Sequence, residues 1–214
     1  MKFHSPCRWA RAKVGLTLNN MDKNLVVAIT GGIGSGKSQA LLTLKNAGYH
    51  TISCDEITNE LYNDKKVIKR LAKMFPNAKR GFIFLRVDKK EIAKTVFSNP
   101  QKLASLTEFL TPLILKQSLL RAQKNNGVTF IEVPLLFETN AQDNFDKVLV
   151  IKRQLTERIN SVMKRSNLTK EQVLERINAQ FDYDNNDLEN CVIINNDDSI
   201  ESFRQAVMDF AKSL

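Results

Sequence analysis

The sequence of 214 residues is 43% hydrophobic and 26% charged, which suits one soluble domain, with or without an inserted subdomain. No apolar stretch approaches the roughly 20 residues that span a bilayer, and three widely spaced cysteines without a CxxC pair favour a cytoplasmic protein over a disulfide framework or a structural zinc site. The net charge is +9, but no basic block is interleaved with aromatic residues, so we predict neither a nucleic-acid partner nor a membrane partner.

Residues 1–20 form a basic leader that contains four Lys or Arg residues and no acid. The leader lacks the long apolar segment of a secretory signal. An organelle-targeting peptide and a disordered tail ahead of Met21 both remain open. We favour the tail, because the first predicted strand opens only four residues after Met21.

The chain after the leader opens with a strand, a glycine-rich turn, a helix and a second strand. Leu25–Thr30 is a short apolar, β-branched run that predicts a buried parallel strand. Apolar residues recur at helical spacing from Gly36 to Ala47, and Gly48 follows as a C-cap. Tyr49–Ser53 predicts the second strand. This order is typical of an α/β fold with a parallel sheet.

The middle of the chain, residues 56–126, predicts helices and no strand. Breaks are expected at Pro76, Pro100 and Pro112. We interpret this region as a helical substrate subdomain inserted into an α/β core of residues 25–55 and 127–214. The proposed domain then covers residues 21–214.

Strands resume after the insertion and bring the predicted total to five. The remaining predicted strands are Val128–Val133, Lys147–Ile151 and Cys191–Ile194. Residues 154–180 are charged and helical, with a capping-box pattern at Thr169 and Gln172, and we interpret them as a lid (the lid segment). The last helix, within residues 200–214, carries Phe203, Val207 and Phe210 at helical spacing.

Residues 31–38, GGIGSGKS, match the phosphate-binding pattern G-x-x-x-x-G-K-[ST]. Glycines let the backbone N–H groups converge on phosphate oxygens, and the helix that follows adds its positive N-terminal end. Lys37 is expected to bridge the β- and γ-phosphates of ATP, and the Ser38 hydroxyl to ligate Mg²⁺. The predicted nucleotide-binding residues are Gly32, Ile33, Gly34, Ser35, Gly36, Lys37, Ser38 and Gln39.

Asp55 follows the second predicted strand, at the edge of an open α/β sheet where ligands bind. A carboxylate there can accept the proton of an attacking hydroxyl group. Asp is also a good helix N-cap, and the local sequence leaves both roles open. No Asn-Lys-x-Asp motif for guanine is present, and no long apolar strand ends in an acidic pair, which disfavours GTPases and motor-type ATPases.

The chain resembles the dephospho-CoA kinase family from about Leu25 to Phe210. The residues that carry the resemblance are TGGIGSGKS at 30–38, DEI at 55–57, VF at 96–97, PLI at 112–114, VPLLFE at 133–138, Arg165, AQ at 179–180, Ile193 and NN at 195–196. The phosphate loop is common to many enzymes, but its combination with PLLFE after a strand is much more specific.

The resemblance implies a P-loop kinase fold with strand order 2-3-1-4-5. The implied reaction is transfer of a phosphoryl group from ATP to the ribose 3′-hydroxyl of dephospho-CoA, the last step of coenzyme A biosynthesis. By resemblance, Asp55 is the base, Pro134, Leu135 and Phe137 belong to the substrate-facing wall, and Arg165 is a lid cation. The local sequence equally allows a turn with core side chains at 134–137, and a solvated helix face at Arg165.

Four positions depart from the family pattern. Ser53 replaces the first acid of Asp-Ala-Asp, Thr111 replaces the His of His-Pro, and Lys89 stands in for a frequent arginine. Ser161 occupies the position of a common lid arginine, although Arg158 lies about one helical turn earlier. Two other functions therefore remain open: a nucleoside or nucleotide kinase on the same core, and a catalytically weakened nucleotide-binding regulator.

Overall fold

The computed structural model describes residues 24–81 and 85–214, so the basic leader lies outside the described residues. The chain forms two compact units, one of residues 24–52 and 122–214 and the other of residues 53–121. None of the helices within the described ranges has the length and apolar character that crossing a membrane requires.

The described residues form seven strands and eight α-helices. In order they are β1 (Leu25–Thr30), α1 (Lys37–Asn46), β2 (His50–Ser53), α2 (Cys54–Leu61), α3 (Lys65–Met74), β3 (Lys79–Arg80), β4 (Arg86–Val87), α4 (Lys89–Phe97), α5 (Pro100–Ala122), β5 (Val128–Glu132), β6 (Lys147–Lys152), α6 (Leu155–Ser166), α7 (Lys170–Asn178), β7 (Cys191–Asn195) and α8 (Ile200–Lys212).

The first unit is built on a five-stranded sheet with the order β2-β5-β1-β6-β7. β1 pairs in parallel with both β5 and β6, and β6 pairs in parallel with β7. Numbered within the sheet alone, this order is 2-3-1-4-5. The predicted α/β fold and strand order are therefore confirmed.

One face of the sheet packs against α1 and α8. β1 is the central strand, and Val27 and Ile29 are fully buried on this face. The other members of this core are Phe130, Leu149 and Ile151 from the sheet, Ala40 and Leu44 from α1, and Phe203, Val207 and Phe210 from α8. The helical spacing predicted for α8 is confirmed, because all three of its predicted core residues are buried here.

The lid segment contains two helices that share a small core of their own. α6 ends at Asn167, whose φ of 51° is left-handed, and Thr169 begins α7 with the predicted capping box to Gln172. Val162 and Val173 form the centre of the shared core. The side chain of Ile33, from the phosphate-binding loop, packs against it.

The second unit consists of helices α2 to α5 and a short β-ribbon. α3 buries Val67, Ile68 and Leu71 on one face, and its basic residues lie on the opposite, exposed face. Asp64 caps the helix by accepting hydrogen bonds from the backbone N–H groups of Lys66 and Val67. An amphipathic pattern of this kind places the apolar stripe in the core and the charges in solvent.

The structure corrects two predictions for residues 56–126. α5 runs through Pro112 without a break, with Leu110 and Ser118 buried on either side of the proline, so tertiary packing offsets the lost hydrogen bond. β3 and β4 form an antiparallel ribbon where no strand was predicted. With two residues in each strand, neither is long enough to show an alternating pattern.

Candidate active site

The phosphate-binding loop joins β1 to α1 and is held by the end of the sheet. Gly36 precedes α1 with a φ of 109°, which favours glycine, and a Cβ at this position would overlap Nδ2 of Asn196. That same Nδ2 donates to the Ser35 carbonyl at 2.8 Å, and the Asn196 backbone N–H donates to the Lys152 carbonyl at 2.9 Å. The residue after β7 thus fixes the loop relative to β6.

Lys37 begins α1 and turns back onto the loop. Its Nζ donates to the carbonyl of Gly31 at 2.7 Å and to the carbonyl of Gly32 at 3.0 Å. The ammonium group is therefore held at the concave loop that the sequence predicts as a phosphate site.

The electrostatic setting of Lys37 favours an anionic ligand. Burial lowers the pKa of its ammonium group to about 8, and the nearby cations Arg158 and Arg165 act in the same direction. Glu132 and Glu138 oppose the shift of this pKa but do not cancel it. A bound phosphate would supply the negative charge that restores the protonated form.

Ser38 and Glu132 form a pair of oxygen groups beside the loop. Glu132 ends β5 and is buried, and its Oε1 accepts a hydrogen bond from the Ser38 hydroxyl at 3.0 Å. Glu132 is not among the predicted site residues, because it is a single acid and not the acidic pair after a long apolar strand that is typical of motor-type ATPases. The available signal was a single Glu at the end of the apolar run VTFIE.

The backbone N–H and carbonyl groups of Ile33 both form hydrogen bonds to the lid segment. Its N–H donates to Oε1 of Gln180 at 2.7 Å, and its carbonyl accepts from Nε of Arg158 at 3.0 Å. Arg158 is buried. Gln180 carried the family resemblance without an assigned role, and the structure gives it one, since it orients the tip of the loop.

The segment after β5 is a turn with a mixed environment. Leu136 is fully buried, whereas Leu135 is 39% exposed. Phe137 is partly buried and stacks on Phe181 with the ring centroids 4.6 Å apart. Pro134 begins the turn, which runs through residues 134–140. Leu135 and Phe137 thus retain exposed surface, as a substrate-facing wall requires.

Glu138 and Tyr183 connect this turn to the loop. Oε1 of Glu138 accepts from the Phe181 N–H at 2.9 Å, and the Tyr183 hydroxyl lies 3.0 Å from Oγ1 of Thr30 at the end of β1. Burial, and next the negative charge of Glu138, raise the pKa of Tyr183 to about 12. The phenol is therefore neutral at physiological pH and acts as a hydrogen-bonding group.

Asp55 lies in the second unit, in the first turn of α2. Ser53 is the N-cap residue of this helix, so the interpretation of Asp55 as the cap is wrong. The Asp55 side chain is exposed, whereas Cys54 beside it is buried, with its Sγ 3.7 Å from Oγ of Ser118.

The positions of the remaining residues named from the sequence are as follows. Gly34 belongs to the loop with a φ of 79°, and Gln39 is in the first turn of α1. Arg165 is exposed near the end of α6 and is close enough to Lys37 to lower its pKa. Lys89, in the second unit, donates from Nζ to Oδ1 of Asn59 at 2.8 Å.

Comparisons with known proteins identify the family of this chain. The family model described as dephospho-CoA kinase matches residues 25–202. The dephospho-CoA kinase of Thermus thermophilus is 31% identical over 186 residues, which cover 86% of this chain and 88% of the relative. That of Helicobacter pylori is 30% identical over 196 residues, which cover 88% and 96%.

Solved structures give the same result. A crystal structure from Thermus thermophilus is 29% identical, with a TM-score of 0.75 over 89% of this chain and 97% of its own. The dephospho-CoA kinase from Campylobacter jejuni is 27% identical, with a TM-score of 0.63 over 87% and 95%. These matches confirm the resemblance found in the sequence.

Proposed function

The chain belongs to the dephospho-CoA kinase family, and we propose that it transfers the γ-phosphoryl group of ATP to the ribose 3′-hydroxyl of dephospho-CoA, giving ADP and coenzyme A. The observation that carries this proposal is the family match over residues 25–202, which includes a complete phosphate loop with Lys37 in position. The chain is thus a phosphotransferase with an alcohol group as its acceptor.

The loop residues supply the contacts for ATP. The backbone N–H groups of residues 32–38 and the Lys37 ammonium group would bind the phosphates, and Gln39 continues the site into α1. Ser38 and Glu132 fit Mg²⁺, because Mg²⁺ in such sites takes few protein oxygen ligands and binds the phosphates and water as well. When bound, Mg²⁺ neutralises charge on the β- and γ-phosphates.

The residues proposed for the acceptor are those implied by the resemblance. Asp55 accepts the proton of the 3′-hydroxyl as its oxygen attacks the γ-phosphorus, and the bond from that phosphorus to ADP breaks. Pro134, Leu135 and Phe137 line the substrate-facing wall. Arg165 adds positive charge from the lid segment. The helical unit, residues 53–121, contributes to binding of the acceptor.

The role of Asp55 is tested by Asp55→Asn. The variant retains the shape of the side chain but accepts no proton, so kcat for coenzyme A formation should fall by about 10²- to 10⁴-fold while the Kd for ATP stays within a few-fold. Glu56→Gln is the matched control, since Glu56 is the next residue and is also exposed. Coenzyme A formation near the wild-type rate by Asp55→Asn would exclude Asp55 as the base.

The acceptor itself is tested by a substrate screen. Purified protein and ATP are offered dephospho-CoA, nucleosides or nucleoside monophosphates, and ADP release is measured. We expect turnover with dephospho-CoA alone. Preference for a nucleoside or its monophosphate would instead assign a nucleoside or nucleotide kinase, and ATP binding without any transfer would assign a regulator.

We also propose a cytoplasmic location and a dispensable leader. The three cysteines are widely spaced and form no CxxC pair, which suits a reducing compartment. The first strand begins at Leu25, so a chain that starts at Met21 retains every described element. Its kcat should equal that of the full chain.

A further inference from the structure

Arg158, in the first half of α6, has a guanidinium group at the phosphate-binding loop. Its Nε donates to the Ile33 carbonyl at 3.0 Å, and a Cβ placed on Gly32 would overlap its Nη2. The residue is only 7% exposed. The guanidinium therefore lies directly against the loop backbone at Gly32.

This buried cation lacks a close anionic partner within the described part of the chain. No carboxylate there lies within ion-pair distance of the guanidinium, and its Nη1 and Nη2 donate to no described acceptor. Arg153, five residues earlier, shows the contrast, because its Nη2 pairs with Glu157 at 3.4 Å. Both Nη groups retain contact with solvent, and the negative charge of Asp184 only partly opposes the burial that lowers the pKa of Arg158. The guanidinium is therefore available to hydrogen-bond an anionic ligand.

Arg158 and Lys37 converge on the same residue. Nζ of Lys37 donates to the Gly32 carbonyl at 3.0 Å, while Arg158 lies against the Cα of Gly32. The positive charge of Arg158 helps to lower the pKa of Lys37, which is a further sign that the two cations are close. Two neighbouring cations and the N–H groups of a glycine loop together suit a group with several negative charges, such as a terminal phosphate.

We propose that Arg158 is a catalytic residue that donates hydrogen bonds from Nη1 and Nη2 to the oxygens of the transferring phosphoryl group. The inference rests on the proposed kinase function and deepens it. Arg158 forms no covalent bond: the 3′-oxygen bonds to phosphorus, the bond from phosphorus to ADP breaks, and the proton of the hydroxyl goes to Asp55. Charge on the equatorial oxygens is greatest during transfer, so the contact favours the transition state.

The position of Arg158 accounts for the Ser161 departure. Ser161 lies three residues further along α6, so the two side chains are neighbours on the helix surface. Arg158 thus places a cation at the loop from a position one turn earlier. Restoring an arginine at 161 should then compensate in part for the loss of Arg158.

The test compares Arg158→Gln with Lys164→Gln, an exposed lysine on the same helix. For Arg158→Gln, kcat should fall by about 10²- to 10³-fold, with Kd for ADP and the melting temperature close to wild type. Affinity for ADP with tetrafluoroaluminate, a mimic of the transferring phosphoryl group, should fall by a similar factor. Lys164→Gln should match wild type, and Arg158→Gln/Ser161→Arg should recover part of kcat.

Two results would overturn the inference. The first is a kcat of Arg158→Gln within threefold of wild type. The second is a parallel loss of ADP affinity and melting temperature, which would make Arg158 a brace for the loop only. If wild-type protein forms no coenzyme A, the proposed function fails, but the fluoroaluminate comparison still decides whether Arg158 contacts a phosphoryl group.

Discussion

The side-chain amine of Lys37 changes its protonation near physiological pH. Its pKa of about 8 results from burial and the cations Arg158 and Arg165, partly opposed by Glu132 and Glu138. Binding of phosphate favours the protonated lysine, so ATP affinity is full below this pKa and falls as the pH rises through it. We expect the Kd for ATP to be nearly constant from pH 7 to 8 and to increase by up to about tenfold per pH unit above that.

Titration calorimetry between pH 7 and 9.5 measures this dependence. Lys37→Met should bind ATP weakly at every pH and should lose the slope above pH 8. The wild-type complex should also take up protons from the buffer at pH 9. A wild-type Kd that does not change between pH 8 and 9.5 contradicts the prediction.

The loop residues could be predicted because their motif is contiguous in the sequence. The contacts that distant side chains make with the loop could not be predicted. Glu132 is 94 residues from Ser38 and Gln180 is 147 residues from Ile33, while Asn196 lies 161 residues from Ser35. Only the folded sheet and the lid segment bring these side chains to the loop. The sequence marks Glu132 only as the end of an apolar run, and Gln180 and Asn196 only through the family resemblance, so no local pattern predicts their contacts with the loop.

At the scale of an element, the end of β7 stabilises a loop that follows a different strand. The buried Asn196 side chain donates to the Ser35 carbonyl, so Asn196→Ala leaves a buried acceptor without this donor. We expect the free energy of unfolding to fall by about 1–3 kcal/mol. Denaturant titration measures this change.

The matched control for Asn196→Ala is Asn190→Ala, because Asn190 is exposed just before β7. That variant should unfold within about 0.5 kcal/mol of wild type. Asn196→Ala should also bind ATP more weakly, since the loop loses one of its supports. Equal stability of the two variants would show that the hydrogen bond to Ser35 contributes nothing.

The buried strands could be predicted from their hydrophobic pattern, whereas the ribbon of β3 and β4 shows no such pattern. β1 and β6 each contain a buried run rich in apolar and β-branched residues, VAIT at 27–30 and VLVI at 148–151. β3 and β4 have exposed or half-buried residues and two-residue pairing, so no hydrophobic pattern marks them. Pro112 misled the prediction because intrinsic propensity is a weak guide inside a packed helix.

For the whole molecule, the net charge of +9 is distributed unevenly. Residues 53–121 contain fourteen Lys or Arg against seven Asp or Glu, a net charge of +7. The leader contributes four further positive charges, so the rest of the chain is slightly acidic. Most of the positive net charge of the chain therefore lies in the helical unit, and the total charge alone does not show this distribution.

A basic unit raises the local concentration of anionic substrates. We expect KM for dephospho-CoA, which carries a diphosphate, to rise several-fold between low and 0.3 M KCl, because salt screens charges beyond a Debye length of about 10 Å at 0.1 M. Steady-state kinetics over this range measures the effect. Sucrose at matched osmolality should leave KM unchanged, and a KM that is insensitive to KCl would mean that this charge has no part in substrate capture.

The backbone N–H and carbonyl groups of Ile33 both form hydrogen bonds to side chains of the lid segment, so they link the loop to that segment. Its amide proton is held by Gln180, so exchange with deuterium requires that Gln180 first move away from the loop. Deuterium uptake at this one amide therefore measures how often the contact between Gln180 and the loop breaks. A ligand that stabilises this contact would slow the exchange even if it never touches Ile33.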